Sequence, residues 1–274
     1  MKILNLNIFR GFHTQFHEIY NWKNRRKHII DLIESTCPDI ILFQECNRLE
    51  YSENLEDFMK NFPNYNYNIQ YSHPNILRSR ALIIAYNPEK IFKITETTKW
   101  LSDTPDIPSI GWGLEGDDFG RIVYGCKFIE INNGNYKGDT FWVFNIHFDV
   151  DPVAIFKSIE LLPILLNKIE SNEKIIIAGD FNTDDEDLFE NLKNNKYDCL
   201  SNNYKTIDNI NLDFSFVGKR NDCGQFTECM YLDHVFGKNI NNYNVYCPHH
   251  YKFIMHNYIT SDHLPIIIEL NNND

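Results

Sequence analysis

Several strongly apolar runs in this chain of 274 residues end in, or open from, a side chain that can move a proton, ligate or donate to an anion. Asn7 follows KILNL, Glu45 follows DIILFQ and His147 follows FWVFNI. Asp180 and Asn182 follow KIIIAG, Asp233 interrupts YLDHVF, and Asp262 and His263 stand before LPIII. An unpaired carboxylate is costly to bury, so chains avoid it or give it a partner. Taken singly, each of these residues reads equally well as a cap or a turn. GDFN is then a strand-to-loop turn in which Gly179 supplies backbone freedom, and His147 is a core histidine with its bonds satisfied. The recurrence resists that reading. Strands of one layer bring their ends to a common edge, so acids, amides and imidazoles at those ends would converge on one acid–base or ligating site.

The elements that must hold them follow from periodicity. KILNLNI (2–8) alternates as a strand, and NWKNRRKHIIDLIESTCPD puts Ile29, Ile30 and Ile33 on one helical stripe with Pro38 as a stop. DIILFQE (39–45) is a short apolar run, as in a strand covered on both faces. The pattern then returns: FWVFNIHF (141–148) as a strand, 151–172 as a helix with Pro152 at a tolerated early position and Pro163 as a kink, and KIIIAGDFN (174–182) as a buried strand. Further strand-like runs are YNYNIQY (65–71), RALIIAY (80–86), RIVYGCKFIEI (121–131), YLDHVFG (231–237) and LPIIIEL (264–270). Strands far outnumber helices, which predicts two packed sheets with outer helices. No linker divides the chain, so residues 1–270 are expected to form one domain followed by a polar tail, 271–274.

Composition is that of a globular protein, at 43% hydrophobic and 23% charged. No apolar run is long enough for a membrane span, and the start lacks a signal-peptide core, so a cytoplasmic or otherwise intracellular protein is expected. Seven cysteines without a CxxC fit buried thiols better than a disulfide framework. The formal charge of −12 argues against tight, sequence-blind binding to long duplex DNA, which draws on many cationic contacts to phosphate.

LNLN (4–7), QE (44–45), NIH (145–147), GDFN (179–182), LDHVF (232–236) and SDH (261–263) appear in an order that resembles the endonuclease/exonuclease/phosphatase superfamily, which includes DNase I. The resemblance spans nearly the whole chain and is specific as an ordered set, though QE or SDH alone means little. It implies a DNase I-like four-layer α/β sandwich, with two mostly antiparallel β-sheets packed face to face between flanking helices, and the two strand–helix–strand units as pseudo-symmetric halves. It also implies hydrolysis of a phosphoester by metal-assisted water attack, with Mg2+, or Mn2+ in its place, as cofactor. Glu45 would be the principal ligand, Asn7 and Asp262 adding direct or water-mediated contacts, around one ion or two. Asp180 would activate the water with Asn182 holding that water or a phosphate oxygen. His263, oriented by Asp233, and His147 would donate to the phosphate.

WLSDTPDIPSIGW (100–112) with Arg121 resembles a bacterial-type branch of the same family. Arg121, Trp100 and Trp112 are therefore substrate-binding candidates, although DTPDIPS reads equally as a proline-stiffened surface loop. Trp100, Trp112, Phe119 and Tyr124 could stack on a base or sugar, or pack in the core. Nucleic acid or nucleotide is the favoured substrate class. The alternative is a small phosphorylated metabolite, inositol phosphate or phospholipid head group, and a third reading is a non-catalytic binding module. CPHHYKFIMH (247–256) clusters Cys247, His249, His250 and His256, but the spacing matches no standard zinc motif and reads as a loop.

Overall fold

The computed structural model describes residues 1–9, 22–47, 55–73, 80–112, 120–169, 171–202, 204–217, 229–250 and 260–271. In chain order the elements are β1 (Lys2–Asn7), α1 (Trp22–Thr36), β2 (Ile40–Asn47), α2 (Leu55–Met59), β3 (Asn66–Tyr71), β4 (Arg80–Tyr86), β5 (Ile91–Trp100), β6 (Ile122–Asn132) and β7 (Asn135–His147). There follow α3 (Pro152–Leu166), β8 (Lys174–Asp180), α4 (Glu190–Asn194), β9 (Asp198–Cys199), β10 (Lys205–Thr206), β11 (Asp233–Lys238), β12 (Tyr243–Cys247) and β13 (Ile266–Leu270).

The strands form two mixed sheets, one in the order β10-β12-β13-β1-β2-β4-β3 and the other β5-β6-β7-β8-β11-β9. Each strand–helix–strand unit yields a parallel pair, because a helical crossover returns the chain in the same direction. β1 runs parallel to β2 with Asn7 opposite Gln44, and β7 runs parallel to β8 with His147 opposite Asp180. Most other neighbours are antiparallel.

Three apolar cores separate four layers. Ile3, Leu42, Val143, Ile176, Val235 and Ile266 pack between the sheets. Leu4, Leu6, Ile41 and Phe43 face α1 and α2, while Phe144, Ile146, Ile175 and Ile177 face α3 and α4. The split is the strand period of two at work: alternate side chains of one strand belong to different cores.

The helix ends have local causes. α1 stops where Cys37 turns left-handed (φ 45) and donates to Ile33 O, and Pro38 cannot continue the helix. α3 opens at Asp151, whose side chain accepts from the backbone N–H groups of Val153 and Ala154, with Pro152 in the first turn. It runs on through Pro163, whose carbonyl accepts from Asn167 N–H. No described helix is long and apolar enough to cross a membrane.

Candidate active site

The inward-facing positions change character along the strands. On β1 they run Ile3, Asn5, Asn7; on β2, Ile40, Leu42, Gln44; on β7, Val143, Asn145, His147; on β8, Ile176, Ala178, Asp180. The inter-sheet layer is thus apolar at one end, passes through a band of amides, and ends in titratable groups at the other. Asn5, Asn7, Gln44 and Asn145 are fully buried, and His147 and Asp180 nearly so.

Asp180 is the hub of that last band. Asn7 Nδ2 donates to its Oδ2 at 2.9 Å, and Asn182 N–H donates to its Oδ1 at 2.9 Å. Two imidazoles face the same Oδ2, His147 Nε2 at 3.5 Å and His263 Nε2 at 3.6 Å. Burial pushes the Asp180 carboxyl up to about 6, partly countered by the His263 charge. The turn after it depends on Gly179, where a Cβ would lie 2.0 Å from Ile146 O. Asn182 sits at φ 52, a conformation asparagine tolerates, and its Nδ2 donates to Phe148 O at 2.9 Å.

His263 is held from behind. Its Nδ1 lies 2.7 Å from Asp233 Oδ2, and that oxygen also accepts from Ser215 Oγ at 2.8 Å. Ser215 in turn accepts from the backbone N–H groups of Leu232 and Asp233, and the Phe216 ring packs 5.0 Å from the imidazole. Burial alone would keep His263 neutral; the carboxylates of Asp233 and Asp180 outweigh it and raise its pKa well above the ordinary value. Both ring nitrogens face carboxylate oxygens, Nδ1 toward Asp233 and Nε2 toward Asp180, an arrangement that favours the charged imidazole.

Glu45 reaches the site by a different device. Strict alternation after Leu42 and Gln44 would turn it toward the helices. Instead the β2–β4 register shifts between Phe43 and Cys46, and Glu45 adopts φ 58. A bulge of this kind re-aims a side chain, and left-handed backbone at a non-glycine residue is strain that clusters at functional sites. Glu45 Oε1 then lies 3.8 Å from His147 Nε2 and 3.6 Å from Arg80 Nη1. Behind His147, Arg121 places Nη1 3.3 Å from Nδ1 and Nε 3.3 Å from Asp149 Oδ2.

Asp262 completes the set. Burial, with the Glu45 charge added, pushes its carboxyl up to about 7, opposed by His263 and Arg25. Arg25 on α1 is itself wholly buried: its Nη1 donates to Ile8 O at 2.9 Å and Thr260 O at 3.0 Å, and Nη2 to Phe9 O at 3.3 Å. It therefore ties the chain leaving Asn7 to the chain entering Asp262.

The donor set fits a hard divalent cation. Glu45, Asp180 and Asp262 offer carboxylate oxygens and Asn7 an amide oxygen, and burial disfavours the charged form of two of those acids, a penalty that a bound cation relieves. Among the described residues, Asp180, Asp233 and His263 also bring one ligand-capable atom each within 4.8 Å of the others. By distance that trio could hold an ion, but the His263–Asp233 contact is already a hydrogen bond.

The structure thus brings Asn7, Glu45, His147, Asp180, Asn182, Asp233, Asp262 and His263 to one end of the sandwich, and Arg121 with them. Arg121 is almost fully buried and engaged with His147 and Asp149. Trp100 packs against the inter-sheet core, and Trp112 packs against the α3 layer, its Nε1 donating to Asp103 and its ring under Lys157. Tyr124 is a buried core residue, and Phe119 lies outside the described residues. Cys247 is buried on β12 and His250 pairs with Asp208, while His256 is outside the described residues. Sequence reasoning missed Arg25, Asp149 and Ser215. The only trace of Arg25 was one basic residue among several in NWKNRRKH, and nothing in SFVG marked Ser215 as a partner of Asp233.

The chain is 60% identical over 269 residues to an uncharacterized protein of Acanthamoeba polyphaga mimivirus, covering 98% of this chain and 99% of that one. Among solved structures it is similar to a mannosyl-6-phosphatase of Bacteroides thetaiotaomicron (TM-score 0.76, 22% identity, 99% and 100% of the two chains covered). It is also similar to the human Nocturnin catalytic domain with bound sulfate (TM-score 0.65, 12% identity, 98% and 93% covered). At those identities the likeness is one of fold. A profile of the Endonuclease/Exonuclease/phosphatase family matches residues 4–263. The chain belongs to that family, a family of phosphoester hydrolases, and has its two-sheet α/β sandwich.

Proposed function

We propose that this protein hydrolyses a phosphoester with the help of Mg2+, or Mn2+ in its place, by direct attack of water. The observation that carries the reading is the convergence of Glu45, Asp180 and His263 from three separate strand ends, with each acid or base supported by a second residue. Glu45, Asn7 and Asp262 would hold the cation, which when bound supplies positive charge to the phosphoryl oxygens and a template for water. Asp180, made more basic by burial, orients the attacking water and accepts its proton, with Asn7 and Asn182 fixing the carboxylate. His263 donates from Nε2 to the phosphate, and Asp233 holds its Nδ1 proton so that this direction of donation is fixed. His147, braced by Arg121, supplies a second donor. Water attack requires no serine or cysteine nucleophile.

The first reading of the substrate is a nucleotide or short nucleic acid. A small phosphorylated metabolite such as a sugar phosphate is the second, favoured by the −12 charge and by the fold shared with a mannosyl-6-phosphatase. Hydrolysis of bis-p-nitrophenyl phosphate that requires Mg2+ and is lost with EDTA tests the chemistry; retention of full activity in EDTA would refute the cation. A panel of single-stranded DNA, poly(A) RNA, abasic duplex, inositol phosphates, sphingomyelin and sugar phosphates then decides between the substrate classes by kcat/KM.

A further inference from the structure

The acid Glu45 owes its direction to a bulge, and the bulge has a support that belongs to the other sheet. Gln44 and Glu45 together stand opposite Leu82, since Phe43 pairs with Ile83 and Cys46 with Ala81. A bulge disrupts the local ladder, and the carbonyls there can be braced by donors from outside it. Asn145, on β7 across the sandwich, provides them. Its Nδ2 donates to Phe43 O at 3.0 Å and to Ile83 O at 2.9 Å, the two residues that face each other at the shift. Its Oδ1 accepts from Gln44 Nε2 at 2.7 Å, the residue beside Glu45, and Gln44 Nε2 also donates to Asn5 Oδ1 at 2.8 Å. Asn145, Gln44 and Asn5 are all 0% exposed, so no solvent competes for these bonds.

We propose that Asn145 is a positioning residue that holds the β2 bulge in the register aiming Glu45 into the site, and so sets the affinity of the site for its cation. A side chain with no donor at 145 would strip both carbonyls of their bond from the other sheet and Gln44 Nε2 of one acceptor, and β2 would then be free to slide toward regular pairing with β4. A one-residue slip reverses the face of every side chain beyond it, which would turn Glu45 toward the helices. The proposal rests on the reading that Glu45 holds the cation, and its test separates the two.

The test is calorimetric titration of Mn2+ into the cation-free full chain, with thermal unfolding measured alongside. The variants are Glu45→Gln, Asn145→Leu, Asn145→Ser and, as a stability control on the same strand, Val143→Ala. Glu45→Gln and Asn145→Leu are expected to weaken Mn2+ binding at least tenfold. Asn145→Ser, which keeps one donor, should fall between Asn145→Leu and the wild type and carries the test if Asn145→Leu does not fold. Val143→Ala should lower the unfolding midpoint while leaving Mn2+ affinity within twofold. At saturating Mn2+ the Asn145 variants should recover kcat with little change in substrate KM. Wild-type affinity in both Asn145 variants alongside weakened binding in Glu45→Gln would overturn the proposal and leave the role of Glu45 standing. Wild-type affinity in Glu45→Gln would overturn the role of Glu45, and the proposal with it.

Discussion

The β1-α1-β2 and β7-α3-β8 units are built alike and deliver their acids differently. In the second unit Asp180 occupies the next inward position after Ile176 and Ala178, so regular alternation aims it. In the first unit that position belongs to Gln44, and Glu45 faces the site only because the register shifts and its φ is 58. One acid is placed by the period of the strand and the other by a local break in it. A regular strand end needs little to aim its side chain; a break needs outside support, and the β2 bulge receives it from Asn145 on the other sheet.

The contrast can be broken from either side. The largest effect is expected from Asp180→Asn, which keeps the side-chain shape of the second unit but removes the proposed base and one of the two oxygens that accept from Asn7 and Asn182. It should lower kcat by about 10²–10⁴-fold, and retention of more than a tenth of wild-type kcat would contradict the assigned role. Next comes Asp262, whose folded pKa of about 7 exceeds the ordinary carboxylate value. A raised acid pKa means the folded state binds the proton more tightly, so this contribution favours folding at low pH and is lost as pH rises through about 7. Without cation, Asp262→Asn should therefore stabilise the protein more at pH 8 than at pH 5, by up to roughly 2.5 kcal/mol, because about two of the shifted pH units lie in that window. Added Mg2+ should reverse the order by stabilising the wild type alone. Chemical denaturation at the two pH values checks both signs.

A smaller loss is expected from Arg25→Met, which leaves the carbonyls of Ile8, Phe9 and Thr260 without their donor. About 3 kcal/mol of stability should go, together with weaker cation binding, because Asn7 and Asp262 lose their tether. Equilibrium unfolding and cation titration of the same sample would show whether the two losses travel together. The smallest is Asp151→Ala at the cap of α3, which should lower stability by about 1 kcal/mol and leave kcat/KM unchanged. A change in activity there would show that the start of α3 is coupled to the site.

Much of this was legible because burial and alternation leave marks in residue order. The β1 run KILNLN interleaves leucines for one core with amides for the interior, and the structure follows it. Both strand–helix–strand units were visible, as were the inward acids and imidazoles at the strand ends. The first half of β7 was not read, although Asn133 and Gly134 at φ 52 and 77 form a tight turn that an NG pair signals. β5 escaped because IFKITETTKW is an edge strand with several exposed positions and no apolar run. The supports of the site were the least legible. Ser215, Asp149 and Arg25 act through contacts between distant segments, and nothing in their own neighbourhoods distinguishes them from surface residues. Longer helices were expected than the structure shows: α3 ends at Leu166 rather than 172.

β13 lies against β1, with Lys2 opposite Glu269 and Asn5 opposite Ile266, and Asn7 touches His263 across a separation of 256 residues. During translation, β1 therefore emerges from the ribosome long before the strand that must flank it. The β7–β8 pair can close on nascent chain, but the edge of β1 stays unpaired until residue 270 has cleared the exit tunnel. A chain stalled before residue 260 would carry Asn7, Glu45, His147 and Asp180 but lack Asp262 and His263, the groups that reach them across β1.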